Sequence, residues 1–133
     1  MQTTLTFKTG RKREMIDITD EVERFIAGSN LRDGICLVFV QHTTTALVIN
    51  DVAAAGFAHD FLLALEQFPS LAWRHLHAGP EHAKDHLIGA MLGESKTLPV
   101  IGGAPALGTW QRLYLVELDG PRSRQVVLMT VPT

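Results

Sequence analysis

Four of the chain's six histidines, His75, His77, His82 and His86, fall within the stretch WRHLHAGPEHAKDHLIGAML (73–92). Imidazole changes charge near neutral pH, ligates metals through a lone pair and donates hydrogen bonds to anions, so this density invites a chemical reading. Spacing sorts the four. His75 and His77 are two apart and share a face in an extended segment. His82 and His86 are four apart, as in a zincin helix, but Ala83 stands where the general-base Glu would be, which weighs against a peptidase. On a helix starting near Glu81, the stripe Ala83, Leu87, Ala90 and Met91 is expected to be buried. His86 then sits at the edge of the stripe, placed to point into a cleft. His82 lies a step further toward solvent, and with His77 it reads as a bystander.

Two other clusters could converge on these histidines. Gln41-His42-Thr43-Thr44-Thr45 follows the apolar run GICLVFV, so its side chains fall at the rim of a buried strand. Burial there would keep the His42 imidazole neutral and able to ligate a metal. The plain alternative is that the threonines bond the turn's own backbone. Asn50-Asp51 adds a carboxylate or caps the following helix, and local sequence favours the cap. In Gly108-Thr109-Trp110-Gln111 the glycine lets a backbone N–H approach an anion, the threonine offers a hydroxyl, and the indole can cover a flat ring. Its alternative is a tight turn with the tryptophan in the core. No Walker loop, dinucleotide-binding glycine pattern or nucleophile elbow occurs.

The elements that would position these groups follow from periodicity. Residues 2–8 alternate as a strand, and 14–18 alternate again after a Gly10 and Arg11-Lys12-Arg13 turn, which suggests a first hairpin. Thr19 is a candidate N-cap for a short helix carrying Val22, Phe25 and Ile26. The unbroken run 34–40 reads as a central strand buried on both faces, followed by a strand over 45–49. A helix is expected over 53–68, with Phe57, Phe61, Leu62, Leu65 and Phe68 as its stripe, and another over 81–92 closed by Gly93. Residues 98–101, 111–118 and 125–131 read as strands, with Asp119-Gly120-Pro121 joining the last two. Strands at both ends and helices between them imply one α+β domain over 1–133, mostly antiparallel.

Composition bounds the partners. With a formal net charge of −2 and six histidines counted neutral, nothing global recruits nucleic acid or an anionic membrane. The basic clusters Arg11-Lys12-Arg13 and Arg122/Arg124 look like turns. The N-terminal stretch lacks the apolar core of a signal peptide, and the single cysteine, Cys36, lies among aliphatics as an inert packing thiol. A cytoplasmic protein is expected. A 46% hydrophobic fraction and mean hydropathy of +0.12 suggest that another subunit covers part of the surface.

Taken together, QHTTTALVIND (41–51), Arg74-His75, the His86 helix running through LIGAMLGES, TLPVIGG (97–103) and LGTWQRLYLVELDGPRSRQVV (107–127) resemble the YjbQ family. These are small bacterial and archaeal proteins often described as secondary thiamine-phosphate synthase enzymes. The resemblance implies an α+β fold with a β-sandwich-like core, a homotrimer, and a polar histidine pocket with weak thiamine-phosphate synthase activity. By the same resemblance His42, His75 and His86 are the metal or phosphate ligands and the catalytic groups. Gln41, Thr43, Thr44, Asn50, Asp51, Gly108, Thr109, Trp110 and Gln111 would complete the ligand site. The chain departs from the family's acidic positions at Ala53-Ala54-Ala55, Ala78 and Lys84. Three imidazoles with fewer carboxylates suit Zn²⁺ or a similar metal, or a bound anion, better than Mg²⁺. The alternative is a non-catalytic metal- or ligand-binding, or regulatory, trimer.

Overall fold

The computed structural model describes residues 1–51, 56–68 and 79–133, without the side chains of Asp51, Pro80 and Glu81. Eight strands and three helices follow in the order β1 (Gln2–Lys8), β2 (Glu14–Asp17), α1 (Thr19–Gly28), β3 (Gly34–Val40), β4 (Thr45–Asp51), α2 (Phe57–Glu66), α3 (Pro80–Leu92), β5 (Ser95–Ile101), β6 (Ala104–Pro105), β7 (Gln111–Glu117) and β8 (Ser123–Pro132). They build a five-stranded sheet, β1-β8-β3-β5-β6, and a three-stranded sheet, β2-β7-β4. Every strand pair is antiparallel. The α+β sandwich expected from the sequence is the observed architecture.

The layers follow from which faces are apolar. Val38, Leu128 and Val126 of the large sheet meet Leu47, Leu113 and Leu115 of the small one, and α1 adds Val22 and Ile26 to the same core. Ala46 and Val116 point to the other face of the small sheet, where Ile88 of α3 and Phe61 and Leu65 of α2 cover them. The strand buried on both faces is therefore β7, not β3. In β3 burial alternates, because among the described residues no layer covers the outer face of the large sheet: Ile35 and Phe39 are exposed while Cys36 and Val38 are fully buried. Burial pushes the Cys36 thiol up to about 11, which leaves it protonated and inert.

Neither terminal hairpin forms. β1 pairs with β8 and β2 with β7, so the chain changes sheets between β1 and β2 and again between β7 and β8. The two crossings lie side by side. Thr9 N–H donates to the Arg122 carbonyl at 2.9 Å, and Gly120 N–H to the Lys12 carbonyl at 3.0 Å. Gly120 fits because any Cβ there would stand 2.2 Å from the Arg11 carbonyl oxygen. The Thr19 hydroxyl is likewise no helix cap. It accepts from the Leu113 N–H at 2.8 Å and so ties α1 to β7.

A buried carboxylate holds the crossings together. Glu117, fully buried, accepts from Arg124 Nε at 2.9 Å, from the Thr9 hydroxyl at 2.6 Å and from the Asp119 N–H at 3.0 Å. Burial opposes its ionisation, but the hydrogen bonds from Arg124, Thr9 and Asp119 outweigh it and hold the carboxyl below the usual range. The basic residues expected in plain turns are thus structural. Arg124 is buried in this network, and Lys12 and Arg13 both reach Asp85 of α3, which is itself fully buried. Lys84 is also buried. Its ammonium donates to the Glu66 carbonyl at 3.2 Å, at the C-terminal end of α2, where a cation suits the free carbonyls.

Glu117→Gln should leave the buried Arg124 charge without its counter-ion and cost about 3–5 kcal/mol in urea denaturation. A double change, Glu117→Gln with Arg124→Met, should recover part of that loss. A single-variant loss below about 1 kcal/mol would show that the pair does not hold the crossing.

Candidate functional site

Where β3 ends, the chain turns through Gln41 to Thr44 to start β4, and α3 lies against that turn. Contact is close because Gly89 faces it: a Cβ there would be 2.9 Å from the Thr43 carbonyl oxygen. Val40 N–H donates to the Glu94 carbonyl and Leu47 N–H to that of Gly93, fixing the end of α3 to both strands. Between turn and helix lies a cavity of about 620 Å³, lined by Phe39, Gln41, His42, Thr43 and Thr45 on one side and His86, Gly89 and Glu94 on the other. Two of the three expected histidines, His42 and His86, thus share one cavity.

The His42 ring has a defined role. Its Nε2 accepts the Gln125 N–H at 2.9 Å. An imidazole that accepts at Nε2 carries its proton on Nδ1, so neutral His42 offers a donor and no second lone pair. Burial, then the Arg124 charge, hold its pKa below the ordinary 6.5, outweighing the opposing pull of Glu117. As placed, His42 therefore fits an anion better than a Zn²⁺ ion, which needs an imidazole lone pair.

His82 is not the solvent-facing bystander its helical phase suggested. The buried face of α3 runs through Ala83, Lys84, Asp85, Ile88 and Gly89, while Ala90 and Met91 are exposed. The expected stripe was out of phase because charged Lys84 and Asp85 are the residues turned inward, each toward a partner on another element. The rotation brings His82 under the body of the protein. Its Nε2 stands 2.8 Å from His86 Nε2, and its Nδ1 stands 3.2 Å from Asp119 Oδ2. Among the described residues, His82, Asp85 and Asp119 also place one ligand atom each within 4.8 Å of the others. The Lys12 ammonium already bonds both carboxylates there.

The remaining site candidates fall elsewhere. The Thr44 hydroxyl accepts from Arg124 at 2.8 Å and is buried in the crossing network, away from the cavity. Asn50 and Asp51 end β4, opposite Arg112 and Gln111, and the N-cap position of α2 is Gly56 rather than either of them. Gly108 N–H donates to Gln111 Oε1 at 2.7 Å, closing that turn on itself and leaving Trp110 exposed rather than in the core. The seven residues of β4 separate this end of the sheet from the cavity by about 20 Å. His75 and His77, with Ala53-Ala54-Ala55 and Ala78, lie outside the described residues.

The family model for UPF0047 protein YjbQ-like matches residues 3–133. The chain belongs to the YjbQ/UPF0047 family. It is 44% identical over 125 residues to a UPF0047 protein of Archaeoglobus fulgidus, covering 93% of this chain and 96% of that one. It is 37% identical over 127 residues to UPF0047 protein YugU of Bacillus subtilis, covering 93% and 94%. A crystal structure of a YbjQ-like protein of unknown function from Sulfolobus solfataricus superposes with a TM-score of 0.92 at 37% identity, over 100% of this chain and 97% of that one. A hypothetical protein from Aeropyrum pernix gives 0.91 at 33%, over 100% and 99%. The YjbQ-like fold is thus shared across distant microbes.

The depressed pKa of His42 has a consequence for stability. Between 6.5 and its lowered folded value, the unfolded chain takes up a proton that the folded chain refuses, so acid favours unfolding there. Stability should therefore fall as the pH drops below 6.5 and level off for this group once the folded ring also protonates. His42→Gln should flatten that part of a urea-midpoint profile, and an unchanged slope would contradict the assigned environment.

Proposed function

We propose that the cavity between the Gln41–Thr45 turn and α3 binds the phosphate-bearing end of a small ligand. Through it the protein would act as a weak thiamine-phosphate synthase in the cytoplasm. The observation that carries the reading is the His42 ring: its Nε2 is engaged by Gln125, so its Nδ1–H is a fixed donor in the wall that His86 shares. Donors placed where negative charge collects are what a departing pyrophosphate requires. In the reaction, the C–O bond to pyrophosphate breaks with its electron pair going to oxygen. The thiazole nitrogen then supplies the pair for the new C–N bond, giving thiamine phosphate and pyrophosphate. His42 would hold the leaving group, Gln41 and Thr43 would add polar contacts at the rim, and Thr44 would keep the turn in place through Arg124. The family's divalent metal fits this chain less well, since His42 as placed has no lone pair to give, and no step is assigned to one.

The protein would work as a homotrimer. Support comes from the face of the large sheet that no described residue covers, where Ile35 pairs with Val131 and Pro99, and Phe39 with Val127, in an apolar ladder. Phe39 also borders the cavity, so a second copy seated on this face would wall the site. The Gly108–Gln111 turn, about 20 Å away within one chain, could then serve the cavity only from a neighbouring copy. No helix among the described residues is long and apolar enough to cross a membrane.

Titration calorimetry with inorganic pyrophosphate should show His42→Ala binding at least about tenfold more weakly than wild type, the worth of one charge-assisted hydrogen bond. Equal affinities would defeat the site assignment. Binding without any thiamine phosphate formed from the pyrimidine pyrophosphate and the thiazole phosphate would favour the non-catalytic binding trimer instead. In sedimentation experiments Ile35→Glu should convert a trimer to monomers; a wild-type monomer would defeat the assembly.

A further inference from the structure

One wall of the cavity is rich in hydrogen-bond acceptors that the reading above leaves unused. Glu94 stands between α3 and β5 with its backbone clamped. Its carbonyl accepts the Val40 N–H at 2.9 Å, and the Gly93 carbonyl before it accepts the Leu47 N–H at 3.0 Å. An exposed carboxylate is thereby fixed on the cavity wall, across β3 from the turn that carries His42. Among the described residues the Glu94 side chain makes no hydrogen bond or ion pair. Two backbone carbonyls join it. Those of Thr43 and Thr45 are turned toward α3, where a Cβ on Gly89 would stand 2.9 and 3.4 Å from their oxygens. Thr45 belongs to β4, an edge strand whose ladder partner is β7. Leu118 N–H donates to the Thr44 carbonyl, and bonded and open positions alternate along an antiparallel pair, so the Thr45 carbonyl points off the edge of the sheet. The Thr43 carbonyl, in the turn, receives no backbone N–H among the described residues. Thr45 is short of a partner at its side chain too, since its buried hydroxyl has none.

We infer that Glu94, with the Thr43 and Thr45 carbonyls, is the cation-recognising side of this cavity, an assignment that rests on the cavity being the ligand site. A carboxylate repels a bare phosphate, and carbonyl dipoles present their negative ends, so this wall favours positive charge or N–H groups. The ligand class is thereby narrowed to molecules that carry a cationic ring as well as a phosphate. The proposed reaction makes such a ring. The thiazole nitrogen that gives its electron pair to the new C–N bond becomes a quaternary nitrogen with a positive charge. Glu94 is then a specificity-determining residue, which receives the charged ring while the phosphate lies toward His42. Gly89 serves the same wall, because a side chain there would press on both carbonyls.

Titration calorimetry on the full chain tests this with three probes. One is thiamine, a cation without phosphate; the second is its analogue with a neutral thiophene in place of the thiazolium ring; the third is inorganic pyrophosphate. Wild type should bind thiamine roughly fivefold more tightly than the neutral analogue, which is what a solvent-exposed ion pair supplies. Glu94→Gln should erase that preference and leave the affinity for the neutral analogue unchanged. Glu94→Lys should erase it as well and tighten pyrophosphate binding. The cation assignment is overturned if wild type binds thiamine and the analogue alike, or if the preference survives Glu94→Gln. It is equally overturned if Glu94→Gln weakens all three probes together, since Glu94 would then only hold the wall in shape. Thiamine carries no phosphate, so the two readings fail separately. A preference lost in Glu94→Gln without any pyrophosphate binding would sustain the cation side and defeat the phosphate side. Pyrophosphate binding without the preference would do the reverse, and binding of no probe would defeat both.

Discussion

One buried ion pair, Glu117 with Arg124, ties together two of the places where the chain passes from one sheet to the other, and the cavity is built beside that junction. An ionised carboxylate inside a protein survives only if its oxygens are fully occupied. Here the occupants come from four places: Thr9 after β1, Arg124 of β8, the Asp119 N–H after β7, and through Arg124 the Thr44 hydroxyl before β4. The pair therefore joins the β1–β2 and β7–β8 crossings to the turn that carries His42. It also sets that histidine's electrostatics, since after burial the Arg124 charge is what most lowers its affinity for a proton. Asp119, two residues beyond Glu117, is held facing α3 by the same backbone bond. The strand side of the cavity is thus tied to this one buried pair, with burial as the larger cause of the lowered His42 pKa.

A second set of charges does for α3 what the first does for the strands. Asp85 is pulled in by Lys12 and Arg13 from the β1–β2 crossing, Arg13 also reaches Glu66 at 2.6 Å, and Lys84 closes the end of α2. Ionic anchoring explains how a helix with few large apolar residues stays docked. Ile88 and Leu92 supply a modest apolar contact, and Gly89 allows the approach to Thr43. The helix is oriented by charge as much as by burial, which fixes the azimuth at which His82 and His86 project.

That division also explains what could be read from the amino-acid sequence. The strands announced themselves through alternation, the helices through spacing, and the α+β class through their order, because burial of aliphatic side chains dominates those elements. Family motifs brought out His42 and His86. The reading failed where polar residues do the packing. Lys84 and Asp85 turn inward against every hydropathy expectation, so the phase of α3 came out rotated and His82 was set aside. The run GICLVFV looks doubly buried, yet only one face meets the core, while the mixed sequence QRLYLVE is the strand covered on both sides. Hairpins looked natural at both termini because two strands with a short link usually pair. The clue against them was a glutamate at the end of an apolar strand and an arginine seven residues later, and pairing those two from sequence needs the fold first.

The two cavity histidines show how little residue type says about role. A neutral imidazole has one donor and one acceptor, and whichever nitrogen the scaffold engages decides what the other one offers. At His42 the scaffold donates, through the Gln125 N–H, and the ring is left presenting its proton. At His86 the neighbour is the His82 ring, nitrogen to nitrogen at 2.8 Å, and that ring in turn faces Asp119 at 3.2 Å. Both rings are thus held by groups of the scaffold itself, so each one's orientation is set by the fold before any ligand arrives.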